Sequence, residues 1–162
     1  MDESPMASTV DAVLEDMPAS VCQGCGERRG IAAYGGRWNS RGVRMVYAST
    51  ILSLAAAEAF VNLEPNRRPA DLISIEGDVP DAIVKLMLDV EALPASWYER
   101  RDESLRRFGD EWVRDGRSAV FLVPSAAIRV KWNVLLNPAH AEFAGIALRD
   151  PKPFEFDSRM LR

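Results

Sequence analysis

Glu58 is the only carboxylate in the apolar run from Ile51 to Leu63. The apolar residues of that run go nearly all the way round a helix, which predicts a helix buried on most sides. At about 100° per residue, Glu58 projects close to the direction of Ile51 and lies one turn before Asn62, so the helix presents one polar line. A carboxylate buried there is costly unless it is paired, which leaves two readings: an ion pair with one of the chain's many arginines, or a working group in a site. A second candidate is the loop Gly35-Gly36-Arg37-Trp38-Asn39-Ser40-Arg41-Gly42. Its glycines let backbone approach a ligand, and the planar five-donor fork of Arg37 suits a phosphate, although an ordinary turn has the same composition. Tyr47 follows at the end of a predicted strand, placed to stack on a ring or to pack in the core.

Two further junctions pair polar residues with apolar ones: Val123-Pro124-Ser125, and Trp132 to Pro138 with Asn133 inside it. Ser125 as a nucleophile needs a base. The single histidine, His140, sits in Pro-Ala-His, and no Gly-x-Ser-x-Gly elbow surrounds Ser125, so a hydrogen-bonding role fits better. Cys22 and Cys25 have the spacing of a redox pair or half a zinc site. The glycines around them and the lack of further ligands favour two free thiols in a loop.

The elements that must carry these residues follow from pattern. Helices are expected over Thr50–Leu63, with Ser49 or Thr50 as N-cap and Pro65 beyond its end, and from a Ser104 cap to about Asp115, ending at Gly116. A shorter helix is expected over Thr9–Met17, where Val10, Val13, Leu14 and Met17 fall at helical spacing. Strands are expected over Val43–Ala48, Leu72–Ile75, Ile83–Leu88, Ala119–Val123, Val134–Leu136 and Phe154–Phe156. Strands and helices do not alternate regularly, so an α+β fold is expected, a compact mixed sheet with helices. Trp97, Tyr98 and Trp112 are aromatic positions that serve either a core or a partner surface.

The 162 residues suit one domain with one substantial core, and the segment 1–27, acidic and without Lys or Arg, reads as a divergent appendage to the domain 28–162. A net charge of −4 argues against nucleic acid as a direct partner. Ile51–Leu63 is too short and too polar to cross a bilayer, and the start of the chain lacks the basic flank of a secretory signal, so a cytoplasmic protein is expected.

Taken together, Gly-Gly-Arg-Trp-Asn-Ser-Arg-Gly at 35–42, Val-Tyr-Ala-Ser at 46–49, Leu-Ala-Ala-Ala-Glu at 54–58, Val-Pro-Ser at 123–125 and Asn-x-Leu-Leu-Asn-Pro at 133–138 resemble the RES-domain family in order and spacing. Leu-Pro-x-x-Trp at 93–97, Gly-Asp-x-Trp at 109–112 and Phe-x-Phe-Asp-x-Arg at 154–159 extend the resemblance over roughly 28–162. The resemblance implies an ADP-ribosyltransferase-like fold and the toxin of a type II toxin–antitoxin pair that cleaves the nicotinamide–ribose bond of NAD as substrate, without a metal. It implies an Xre-type antitoxin as partner, with any DNA contact made through that antitoxin, and a homodimer. Carried over by motif, Glu58 is the catalytic carboxylate, Arg37 holds NAD, Tyr47 flanks its nicotinamide end, and Ser125 and Asn133 position the ligand. One departure stands out: the family's first strand carries an arginine, and Asp11 to Ser20 has none. Either Arg28 or Arg29 replaces it, or the strand has diverged. The same resemblance also admits a protein ADP-ribosyltransferase, or an inactive module that binds only the antitoxin.

Overall fold

The strongest apolar runs of the chain become the inner strands of one mixed sheet. The computed structural model describes residues 9–15, 35–63 and 72–161. Among the described residues eight strands are present: β1 (Thr9–Glu15), β2 (Val46–Ser49), β3 (Leu72–Asp78), β4 (Lys85–Met87), β5 (Val120–Pro124), β6 (Trp132–Leu136), β7 (Ala147–Leu148) and β8 (Lys152–Phe154). Their order is β4-β5-β6-β2-β1-β3-β7, with β8 sharing the outer side of β3. Only β4 and β5 run parallel; the other pairs are antiparallel. The α+β expectation holds, with the helices α1 (Leu52–Val61) and α2 (Glu103–Asp115) and several short 3-10 turns among the described residues.

Alternation along the inner strands divides the core in two. Val120, Leu122, Val134 and Leu136 pack with Val10, Ala12 and Ala48 on one face. Phe121, Val123 and Leu135 pack with Trp38, Met45, Trp97, Leu105 and Trp112 on the other. Both faces of β5 are covered, so it reads as an unbroken apolar run. Trp97 and Trp112 are therefore core residues, and the option of a partner surface is closed for both.

Several expectations are corrected. The helix expected over Thr9–Met17 is a strand in its described part: Thr9–Glu15 pairs along its whole length with Leu72–Asp78. Val10 and Ala12 fit a period of two as well, and the gap between β2 and β3 is filled by pairing, which overrides a weak helical pattern. This part of the acidic segment thus lies inside the sheet rather than apart from it. Cys22, Cys25, Arg28 and Arg29 lie outside the described residues.

The α1 helix is shorter than expected and starts after Ile51 with no side-chain cap. The expected caps are engaged elsewhere: Ser49 Oγ donates to Asn133 Oδ1 at 2.7 Å, and Thr50 Oγ1 points to the Trp132 carbonyl at 3.5 Å. Nor is α1 buried on most sides. Leu54 and Ala55 are buried, but Ile51, Leu52 and Val61 are 47, 38 and 57% exposed, because the helix lies over β1 and β2 with solvent on its other side. On α2 the cap is Asp102, whose carboxylate accepts from the Ser104 N–H at 3.0 Å, rather than Ser104 itself. Gly116 closes that helix at φ 58° as expected. No helix among the described residues is long and apolar enough to cross a membrane.

The Arg37 loop is held against the sheet by α2. A Cβ on Gly109 would fall 1.9 Å from the Trp38 carbonyl oxygen and 2.8 Å from Met45 Cε. Gly→Ala inside a helix ordinarily gains up to ~1 kcal/mol. Here the clash is with backbone that cannot step aside, so Gly109→Ala should destabilise the fold by about 2 kcal/mol or more. Chemical denaturation checks this, and a midpoint equal to or above that of the unaltered protein would contradict the packing described.

Candidate active site

A cleft of about 540 Å3 opens between α1 and the ends of β2 and β6, within the usual range for a small-molecule site. Its wall includes Arg37, Tyr47, Ser49, Glu58, Asn62, Tyr98, Arg101 and Asn133.

Three adjacent strands carry the polar groups around the carboxylate. Asn133 on β6 is in register with Ser49 on β2 and with Val123 on β5, and Ser125 follows two residues after Val123. These positions bring Ser125 Oγ and Asn133 Nδ2 to the same oxygen of Glu58, Oε1, each donating at 2.6 Å. Ser49 donates to Asn133 Oδ1, which fixes the amide with its NH2 toward Glu58. The Ile128 N–H donates to Ser125 Oγ at 2.9 Å and sets that hydroxyl. Among the described residues no arginine pairs with Glu58 and no side chain donates to Oε2. The ion-pair reading is thus not met; neutral donors hold the carboxylate by one oxygen.

Ser125 has no exposed surface and stands behind Glu58 instead of on the cleft wall, whereas Asn133, 8% exposed, is part of the wall. His140 is remote in role: its Nδ1 accepts from the Glu142 N–H at 3.2 Å as the cap of a 3-10 turn, while Ser125 is committed to Glu58 and Ile128.

Arg37 projects from the loop with Nη1 donating to the carbonyls of Trp97, at 3.2 Å, and of Arg100. Its pKa is lowered, first by burial and then by the like charge of Arg101, with Glu58 and Tyr47 opposing. Tyr47 is more than a stacking ring. Its hydroxyl accepts from the Trp38 N–H at 3.0 Å and donates to Asn39 Oδ1 at 2.7 Å, and Asn39 Nδ2 donates to the Val43 carbonyl at 2.8 Å. Burial pushes the Tyr47 phenol well above its ordinary range. A Cβ at Gly36 would lie 2.5 Å from that hydroxyl, so the glycine there serves the approach of the loop to Tyr47.

All five residues singled out from the sequence, Arg37, Tyr47, Glu58, Ser125 and Asn133, fall in or directly behind one cleft. Three others were missed. Ser49 reads as a helix cap in the sequence, though its spacing of two from Tyr47 places both on one strand face. Asn39 was legible only as part of the loop. Arg101 has no local signal, being an exposed arginine in an Arg-rich stretch.

Comparison with known proteins gives the family and the likeness of fold. The RES domain matches residues 23–157. The Prs ADP-ribosylating toxin of Sphingobium sp. (strain YBL2) is 35% identical over 131 residues, covering 79% of this chain and 81% of that protein. A Toxin Res from Yersinia enterocolitica is 29% identical over 133 residues, 81% of this chain and 87% of that one. Among solved structures, the M. tuberculosis MbcT–MbcA toxin–antitoxin complex includes a chain that superposes with a TM-score of 0.64 at 16% identity, over 91% of this chain and 84% of that chain, which is a likeness of fold. With a matched segment that takes in β2 to β8, α1, α2 and the residues around Glu58, the chain belongs to the RES-domain family.

Proposed function

We propose that this protein is the toxin of a type II toxin–antitoxin pair and that its cleft breaks the nicotinamide–ribose bond of NAD. The observation that carries the reading is a carboxylate, Glu58, held by two neutral donors in a cleft that also contains Arg37. NAD brings its own leaving group: as the C1′–N bond breaks, the bonding pair neutralises the pyridinium and nicotinamide departs uncharged. What the protein must supply is a fixed negative charge beside the ribose as it becomes oxocarbenium-like, and a grip on the dinucleotide. Glu58 supplies the first and Arg37 the second, with Tyr47 flanking the nicotinamide end. Asn133, on the wall, orients both Glu58 and ligand. Ser125 acts from behind, by holding Glu58.

The acceptor is water, whose oxygen bonds to C1′ and loses a proton to solvent to give a glycohydrolase, or phosphate, which bonds through an already anionic oxygen to give a phosphorylase. Unchecked, either reaction depletes NAD and stops growth until an Xre-type antitoxin covers the site. The protein acts as a cytoplasmic homodimer in this reading. A second reading, a protein ADP-ribosyltransferase with the same carboxylate and a side chain as acceptor, is favoured by one similar protein being named an ADP-ribosylating toxin.

The test is to follow NAD over time with the purified protein and with Glu58→Gln, with and without phosphate. Loss of NAD by the unaltered protein should fall by about a hundredfold or more in the variant, the scale for removing a group that stabilises transition-state charge. Dependence on phosphate identifies the phosphorylase. If NAD is stable in every condition while a protein substrate becomes labelled from NAD, the transferase reading replaces this one; binding of antitoxin but not of NAD would leave an inactive module.

Ser125→Ala should lower kcat by about tenfold to a hundredfold, the worth of one hydrogen bond to a charged group, and leave KM nearly unchanged. A raised KM at constant kcat would instead mean that Ser125 touches the ligand.

A further inference from the structure

A second cation faces the cleft, and nothing in the reaction above uses it. Arg101 lines the wall with Arg37, on the segment between the 3-10 turn Trp97–Glu99 and α2. The two are near enough for the charge of Arg101 to depress the pKa of Arg37.

Neither guanidinium is neutralised by a carboxylate among the described residues. Arg37 bonds to main-chain carbonyls, and Arg101 Nη2 donates at 2.5 Å to Oδ1 of Asn62, an uncharged amide. Asn62 in turn donates through Nδ2 to the Glu58 carbonyl at 2.7 Å, so Arg101 is tied to the end of the helix that carries Glu58. The neighbouring Arg100 is different. Its guanidinium is paired with Asp102 at 2.8 Å, which cancels its charge locally and holds Asp102 at a pKa of about 2, chiefly through the Ser104 hydroxyl and then Arg100.

We infer that Arg37 and Arg101 together bind a ligand carrying two adjacent phosphates, and that Arg101 is the binding residue at the mouth of the cleft for the diphosphate of a dinucleotide. The inference rests on the NAD reading for the identity of that ligand. A diphosphate has two negative charges and several acceptor oxygens, which matches two forks with unused donors and relieves their repulsion. It also divides the cleft by charge: anionic Glu58 for the ribose that turns cationic, arginines for the phosphates.

The test uses the full chain carrying Glu58→Gln, which does not consume its ligand, and calorimetric titration with NAD and with inorganic pyrophosphate. Adding Arg101→Gln should weaken both ligands by about tenfold or more, the scale of a lost charge-assisted bond, and flatten their dependence on salt. Arg101→Lys should recover part of the loss, since it keeps the charge without the fork. Arg100→Gln removes an equal charge one residue away and should leave both ligands within about twofold. Unchanged affinities with Arg101→Gln, or equal losses from Arg100→Gln and Arg101→Gln, overturn the inference. If the parent binds pyrophosphate through Arg101 but does not bind NAD, the anion site stands and the NAD reading falls; a parent that binds neither removes both.

Discussion

The two bonds to Oε1 of Glu58 depend on one constraint, the register of β2, β6 and β5. Ser49, Asn133 and Val123 stand side by side across these strands, and Ser125 is placed by the same ladder, its N–H donating to the Lys131 carbonyl at 2.9 Å. A slip of one residue would turn Asn133 to the opposite face and leave Glu58 without that donor. What forbids the slip is apolar: Val134 and Leu136 point into one cluster and Leu135 into the other, so a shift would break both cores at once. The chemistry of the cleft is thus secured by packing several residues away from it.

The Arg37 loop obeys a different constraint. It has little regular structure and is fixed from below by the Tyr47 hydroxyl, from within by Asn39, and from the side by α2, where Gly109 admits the Trp38 backbone and the Asp110 carboxylate accepts from the Ser40 N–H at 2.8 Å. Trp38 lies 5.9 Å from Trp97 between ring centres, and the Trp97 carbonyl is one of the groups that hold Arg37. Aromatic packing and main-chain acceptors therefore aim the guanidinium together, and neither cancels its charge.

Much of this was legible in the residues. The buried strands, the sheet class and the presence of Glu58 in an apolar helix follow from patterning, and motifs mark the five candidate residues that meet at the cleft. The failures have physical causes. Thr9–Glu15 fits a helix and a strand equally well until β2 and β3 exist to flank it. The Ser49 and Thr50 hydroxyls looked like caps because capping is local, while their actual partners, Asn133 and Trp132, are more than eighty residues away. The placement of Ser125 behind Glu58, off the cleft wall, is a matter of which side of a carboxylate a strand end reaches, and no spacing encodes it.

The way the charges are held bears on why one carboxylate can suffice. Had Glu58 been paired with an arginine, its field in the cleft would have been largely cancelled, and had Arg37 and Arg101 been paired with acids, theirs would have been too. Instead a hydroxyl and an amide hold the anion, while carbonyls and an amide hold the cations. Neutral partners fix orientation at the cost of ordinary hydrogen bonds and leave both fields intact inside a partly enclosed cleft. Such an arrangement is complementary to a molecule that is anionic at one end and becomes more cationic at the other as it reacts, which is the charge pattern of a dinucleotide losing nicotinamide.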